Sequence, residues 1–472
     1  MAPNQVVTIV GAGPAGIAAA LTLAEYGVPA ILIDEAEHIG GQYYKHFGVA
    51  PGSSRGRELD QLRQQGRERL TALERSPVEV RLGTTVWGFF EPNRLALVAD
   101  DQVEVLEAPS VLIATGAIER VAAFPGWTLP GVMTAGAAQR VLSHDGVLPG
   151  RRFVLAGTGP LLLAIATQIV EAGGDVAAVV DCVGLTAPVR GLRHAQAVVG
   201  QPRRLRQWAE YRRALRRAGV PYFHDYTVVE ARGEGELREV VIAGKDAEWN
   251  IRPETRQVLE ADTLCVHFGF TASTELAQLA GCALAFARER GGWYVAHDDG
   301  MRASLPGFYV AGQVSGIGGA DLAEATGALA GLTIAYDRGV ISAEVYHRET
   351  RPLRRTIRQG RAFARMLNEV YTPPAAIARL VEPTTVLCRC EEVASSQVDQ
   401  AVSAGVTTLN GLKRRTRCGM GFCQGRVCSQ VLGSYLEHRY GVAPEEAGVF
   451  NARVPLKPVP LGALATIPDD ET

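Results

Sequence analysis

The chain has 472 residues, 47% of them hydrophobic, with 48 Lys and Arg against 50 Asp and Glu for a formal charge of -2. That is enough to bury two or three cores, and the near balance of charge excludes the global bias of a nucleic-acid or membrane-surface binder. The most apolar stretch, residues 153 to 170, contains a Gly-Thr-Gly turn and reads as a buried strand and helix, not a transmembrane span; the N-terminus runs straight into a strand with no visible signal, so a cytoplasmic protein is expected.

The first predicted elements are a strand at Val6 to Val10, a turn Gly11-Ala12-Gly13-Pro14-Ala15-Gly16 and a helix from Ile17 to Glu25. In such a turn Gly11 permits the tight reversal, Gly13 lets backbone approach a pyrophosphate, and Gly16 lets helix pack on strand, with the helix N-terminus favouring phosphate charge. A second strand, Ala30 to Ile33, ends in Asp34 and Glu35, placing a carboxylate for an adenosine ribose. Asp34 is preferred, with Glu35 the fallback.

Three further marks follow. They are Gly40-Gly41-Gln42, then Ala114-Thr115-Gly116 after the apolar run from Val111, and Ala311-Gly312-Gln313 after Phe308 to Val310. Together they resemble the marks of two-dinucleotide-domain flavoproteins of the thioredoxin reductase and glutathione reductase type, which implies FAD. That family usually carries Asp at the last position, against the ribityl chain; Gln313 stands there in this chain and keeps only an amide for the contact. Gly318, Gly319 and Ala320 then start a helix whose N-terminus is expected to face the flavin pyrimidine end.

A second signature sits between these marks, Phe153 to Ala156 followed by Gly157-Thr158-Gly159-Pro160-Leu161-Leu162. Leu162 replaces the third glycine, and Asp181 ends the next strand. Asp181 suits a ribose hydroxyl better than an NADP phosphate. The turn is read either as a site for an adenine nucleotide, NADH or ATP, or as a fold kept without one.

The expected layout is α/β: an FAD domain of residues 1-122 and 262-340, interrupted by an NAD(P)-binding-like insert at 123-261. A linker at 341-379, helical from Arg348 to Tyr371, leads to a cysteine domain at 380-445 and an extended tail at 446-472. Arg351, Arg354, Arg358, Arg361 and Arg365 fall on one stripe of the linker helix, read as a solvated or salt-bridged face or as a dock for an acidic partner. The histidines show no HExxH or paired spacing and are read as structural, while Cys182, Cys265 and Cys282 sit among apolar residues and are read as core thiols. No convergent set of catalytic residues is visible.

Five of the eight cysteines, Cys388, Cys390, Cys418, Cys423 and Cys428, fall near the C-terminus in CRCEEV and TRCGMGFCQGRVC. Four thiolates suffice for a 2Fe-2S cluster, and the alternative is structural zinc, although a C-x-C pair is tight for zinc geometry. Cys388, Cys390, Cys423 and Cys428 are the expected ligands and Cys418 the spare.

An FAD protein of this length ending in CRCE and GMGxCQGRxC resembles the alpha-type chains of heteromeric bacterial amino-acid and imino-acid dehydrogenases. Dye-linked proline and hydroxyproline dehydrogenases, opine oxidases and the B subunit of hydrogen cyanide synthase belong to this group. The resemblance implies a small C-terminal helical domain similar to bacterioferritin-associated ferredoxin that holds a 2Fe-2S cluster. It also implies a separate flavin-containing beta subunit with the substrate site, often with a small ferredoxin-like gamma subunit. The chain is then expected to be an electron-transfer subunit, the alternatives being a stand-alone NADH:acceptor flavin oxidoreductase and a nucleotide-stabilised scaffold.

Overall fold

The computed structural model describes residues 6–44, 57–184, 194, 197 and 202–465. Two parallel sheets dominate it. The first has the order Phe308–Val310, Val111–Ile113, Val7–Val10, Ala30–Ile33, Glu79–Arg81. Val7–Val10 and Ala30–Ile33 are buried at every position, as strands covered on both faces must be. Helix Pro14–Glu25 packs on that sheet beside Ala320–Asp337, and this pair is close because small residues line the seam: a Cβ on Gly327 would stand 2.1 Å from the Ala15 carbonyl oxygen.

The second sheet has the order Tyr222–His224, Asp175–Asp181, Arg152–Gly157, Thr263–His267, Val132–Thr134, again all parallel. Each nucleotide fold carries a three-stranded antiparallel meander, Thr85–Phe90, Arg94–Ala99, Gln102–Glu107 on the first and Tyr226–Arg232, Glu239–Lys245, Ile251–Glu260 on the second. Chain passes between the two folds through Ala117–Glu119 and Phe270–Ala272, paired antiparallel. Strand Thr263–His267 lies on the flavin side of the division expected at residue 262, yet it is the fourth strand of the second sheet, paired in parallel with both Arg152–Gly157 and Val132–Thr134.

The expected linker is one helix, Ala343–Tyr371, capped by the Ser342 hydroxyl, with Tyr346, Thr350, Ile357, Phe363, Ala364, Met366 and Val370 buried. Two arginines of the stripe turn inward: Arg354 donates to the Asp299 carbonyl at 3.2 Å, and Arg361 to the His297 ring at 3.4 Å. Arg365 is held by Glu369 at 2.7 Å. Three of the five arginines are therefore engaged by the chain itself.

The cysteine segment folds as a short hairpin, Val386–Cys388 with Val393–Ala394, and three helices, Ser395–Ser403, Leu409–Thr416 and Cys428–Tyr440. It does not stand apart. Leu387, Val398, Leu412, Leu432 and Phe450 share one continuous apolar core with Phe124, Trp127, Val228 and Val240 of the second nucleotide fold, and the Trp127 indole donates to the Val386 carbonyl at 2.7 Å. The tail then crosses back to the first fold, where Leu456 is buried and bonds to the Trp87 carbonyl at 2.7 Å. It ends in a short helix, Leu461–Leu464. No helix among the described residues is long and apolar enough to cross a membrane.

Candidate functional site

The first Gly-rich turn is built as its residues require. Gly11 has φ +111° and a Cβ there would lie 2.4 Å from the Ala114 carbonyl oxygen, while a Cβ on Gly16 would lie 1.9 Å from the Gly11 carbonyl oxygen. Gly13 differs. Its φ is -79° with ψ -176°, extended backbone open to any residue, and its added Cβ would meet only the Gly41 Cα, at 3.9 Å. Gly11 and Gly16 thus hold the fold, and Gly13 borders open space, the arrangement a pyrophosphate needs. Pro14, at the first helical position, gives up an amide hydrogen that no helix bond requires, and Ala15 follows it.

The other expected marks gather around this turn. Gly40 donates to the Ala12 carbonyl at 2.8 Å, and Gly41, at φ +58°, packs against Gly13. Gly312, at φ +75°, faces the Ala15 methyl and donates to the Thr326 hydroxyl at 2.9 Å. The Thr115 hydroxyl donates to the Ser273 carbonyl at 2.8 Å, and the Gly116 carbonyl accepts from Ser273 at 3.0 Å, tying this mark to the returning chain. Gly319 caps helix Ala320–Asp337 with φ +87°. The Gln313 amide oxygen accepts from the Gly318 amide at 2.7 Å, so it braces that helix entry. Gln42 is exposed.

The two acids at the end of the second strand part company. Asp34 accepts from the Ala12 amide at 2.6 Å and the Ala36 amide at 2.8 Å, which fixes a carboxylate beside the turn. Glu35 is exposed and pairs with Lys457 of the tail. The cradle fits an FAD pyrophosphate and ribose, with Gly13 at the open side and Asp34 at its end.

The second turn is more crowded. Gly157 has φ +140° and its Cβ would stand 1.9 Å from the His267 carbonyl oxygen; Leu162, in the third-glycine position, is 1% exposed. Beside Gly159, at φ +89°, stands Tyr371, the last residue of the long helix, 3.9 Å from where a Cβ would be. Asp181 accepts from the Tyr222 hydroxyl at 2.8 Å and the Val183 amide at 2.9 Å, and burial pushes its carboxyl up to about 6. A side-chain hydroxyl thus already engages the ribose acid.

The five cysteines come together in two groups. Cys388, Cys418 and Cys428 are buried, with the Cys388 sulfur within hydrogen-bonding reach of the other two; Cys390 is exposed and faces Cys423. Bonds from Cys418 and then Cys428 hold Cys388 well below the usual thiol range, and both donors are pushed up in turn. The expected ligands therefore divide between the groups, and Cys418, expected as the spare, sits with Cys388 and Cys428. Gly421 abuts Cys390, where a Cβ would come within 2.4 Å of the Cys390 Cβ. Among the described residues no three His, Cys, Asp or Glu side chains are set as a metal cage. The donor type, five thiols from two loops, fits a thiolate-held cluster.

Burial pushes Cys265 up to about 12 and Cys282 up to about 11, and Cys182 also upward. His267 pairs with Glu119 at 2.7 Å in the interior, and His194 with Glu369 at 2.9 Å. Sequence reading missed Arg120 and Lys245, which face an internal cavity. Each follows or precedes an acid, Glu119 and Asp246, and no spacing marks them.

The same architecture recurs in known proteins. A family model described as pyridine nucleotide-disulphide oxidoreductase matches residues 5–330, and one described as sarcosine oxidase A3 domain matches residues 384–467. The chain is 33% identical over 476 residues to the A subunit of opine oxidase from Rhizobium meliloti, covering 98% of this chain and 87% of that one. It is 34% identical over 478 residues to hydrogen cyanide synthase subunit HcnB of Pseudomonas aeruginosa, covering 97% and 98%. Among solved structures, L-proline dehydrogenase from P. horikoshii superposes with a TM-score of 0.69 at 24% identity, covering 97% of this chain and 79% of that one. The chain is thus a flavin-type oxidoreductase that belongs to the pyridine nucleotide-disulphide oxidoreductase family, among the relatives of HcnB and of the opine oxidase A subunit.

Proposed function

We propose that the chain is the electron-transfer subunit of a heteromeric dehydrogenase or oxidase that acts on CH–NH donors, an amino acid, an imino acid such as proline or hydroxyproline, or an opine. The observation that carries this reading is the state of the second turn. Leu162 fills the third-glycine position and the Tyr222 hydroxyl takes an Asp181 oxygen that a ribose would need, so the second turn is the poorer dinucleotide bed of the two, which disfavours a stand-alone NADH:acceptor oxidoreductase. An adenine nucleotide bound there, NADH or ATP, would serve structure. Relatives named as subunits of opine oxidase and hydrogen cyanide synthase support a complex. A flavin-containing beta subunit is proposed to hold the substrate, and a further cytoplasmic partner is proposed to be a small ferredoxin-like gamma subunit.

Gly11, Gly13, Gly16 and Asp34 are proposed to hold FAD, supported by Gly41, Thr115, Gly312 and the Gly319 helix start. Cys388, Cys390, Cys423 and Cys428 are proposed to hold a 2Fe-2S cluster in a domain similar to bacterioferritin-associated ferredoxin. When bound, these groups supply a two-electron and a one-electron carrier. The chain's own part is to fix both beds on one body, since the cysteine domain shares its core with the second fold and its tail reaches Glu35. Expressed alone, the chain should oxidise none of proline, hydroxyproline or opines with a dye acceptor, and co-expression with the beta subunit should restore activity. Robust oxidation by the lone chain would overturn the division of labour.

A further inference from the structure

A cavity of about 770 Å³ opens where the flavin fold, the second fold, the end of the long helix and the cysteine domain meet. Its walls carry both charge and aromatic surface, including Arg120, Lys245, Trp249, Phe286, Trp293 and Phe450. Two of its arginines are neutralised across the domain junction: Arg288 pairs with Glu437 at 2.7 Å and Arg426 with Glu275 at 3.4 Å.

Arg120 and Lys245 are not. The Arg120 Nη2 donates to the Gly291 carbonyl at 3.2 Å, and its Nε is buried with no hydrogen-bond partner. Lys245 is 5% exposed; its Nζ lies 4.7 Å from the Trp249 ring and 3.4 Å from the Asp246 carbonyl. No carboxylate among the described residues pairs with either cation. Burying a cation without an anion is costly, and the cost is relieved when a ligand brings the anion. Burial, then Arg288, pushes Arg120 down to about 10, against the weaker opposing pull of Glu437.

We propose that this cavity binds an organic carboxylate with an apolar body, the carboxylate on the Arg120 guanidinium and the body against the aromatic walls. The planar guanidinium fork matches a carboxylate in two-point contact, and Lys245 adds a second positive charge to the same space. Aromatic and polar walls in one concave site are the ordinary make-up of a small-molecule pocket. Gln424, Gly425 and Arg426 of the cysteine loop also line the cavity, but the carboxylate contact rests on Arg120 and Lys245 alone, so it stands whether or not the proposed electron path is right.

Calorimetric titration of the full FAD-loaded chain tests this with three probes: benzoate, its neutral analogue benzamide, and inorganic phosphate. Benzoate should bind saturably at one site per chain and roughly tenfold or more tighter than benzamide, as a charge-assisted contact requires. Phosphate, which lacks the apolar body, should not displace it. Arg120→Gln should bring benzoate down to the benzamide level, while Arg120→Lys retains part of the difference. Lys245→Met, which keeps the side-chain bulk, gives a second variant should Arg120→Gln fail to fold, and it should weaken benzoate without changing benzamide. Absence of saturable benzoate binding, equal binding of benzoate and benzamide, displacement by phosphate at equal concentration, or wild-type binding in the folded variants would each overturn the proposal.

Discussion

Replacing Gly13 by valine should separate flavin binding from folding. The backbone there is already extended, so valine suffers no positive-φ strain, and its Cβ meets nothing nearer than 3.9 Å. A shift of roughly 1 kcal/mol in stability moves the melting temperature of a domain of this kind by about 2–4 °C, and Gly13→Val should stay within that when both proteins are compared free of flavin. The side chain instead fills the open side of the turn. It would keep the pyrophosphate away from the amide hydrogens of the first helical turn, each worth about 1.5–3 kcal/mol to a charged partner. Losing two weakens FAD by roughly 10² to 10⁴ fold. Gly16→Val is the contrast, since a Cβ 1.9 Å from the Gly11 carbonyl oxygen forces helix from strand, and that variant should lose both fold and flavin. The assay is the flavin-to-protein ratio after gel filtration, with melting curves of the flavin-free forms. A folded Gly13→Val protein with full flavin would refute the placement, and so would a Gly13→Val protein as unstable as Gly16→Val.

Chain purified without oxygen should carry about two irons and two acid-labile sulfides; Cys428→Ser should lose them and Cys418→Ser keep them, whereas stoichiometric zinc without sulfide would contradict the cluster. Asp181 is pushed up to about 6 from 3.8, so the folded chain binds more protons between those values and this group's share of stability falls as pH rises from about 4 to about 6. The melting temperature of Asp181→Asn should therefore gain on wild type across that window and keep a steady offset above it; an offset that does not vary with pH would dispose of this. Leu456→Ala should cost about 2–5 kcal/mol, because the tail residue is buried in the core of the first fold; unchanged urea denaturation would show that the tail is not docked.

Much of this fold could be read from the chain because the marks are local. Val7 to Gly16 alternates apolar strand, turn glycines and helix in a run short enough for sterics to dictate, and the same holds at Phe153 to Gly159. The gathering of Gly41, Gly116 and Gly312 around one turn follows from the known use of such marks. Other features depend on chain brought from afar. That Lys457 reaches Glu35, or that Leu387 and Phe450 complete a core with Trp127, leaves no periodic trace, since the partners lie hundreds of residues apart. Cys418 shows the same limit: spacing alone made it equivalent to its neighbours, and only the loop path buries it beside Cys388. Arg120 was invisible for a different reason, as one arginine after a strand is ordinary until its carboxylate partner proves to be missing.

The most direct test of the central claim is the source of this chain's electrons. Under anaerobic conditions the lone FAD-loaded chain mixed with NADH should keep its oxidised flavin spectrum, and the same chain in complex with its substrate-binding partner should bleach on addition of the amino or imino acid. Rapid bleaching of the lone chain by NADH, with no response to the substrate in the complex, would contradict the account.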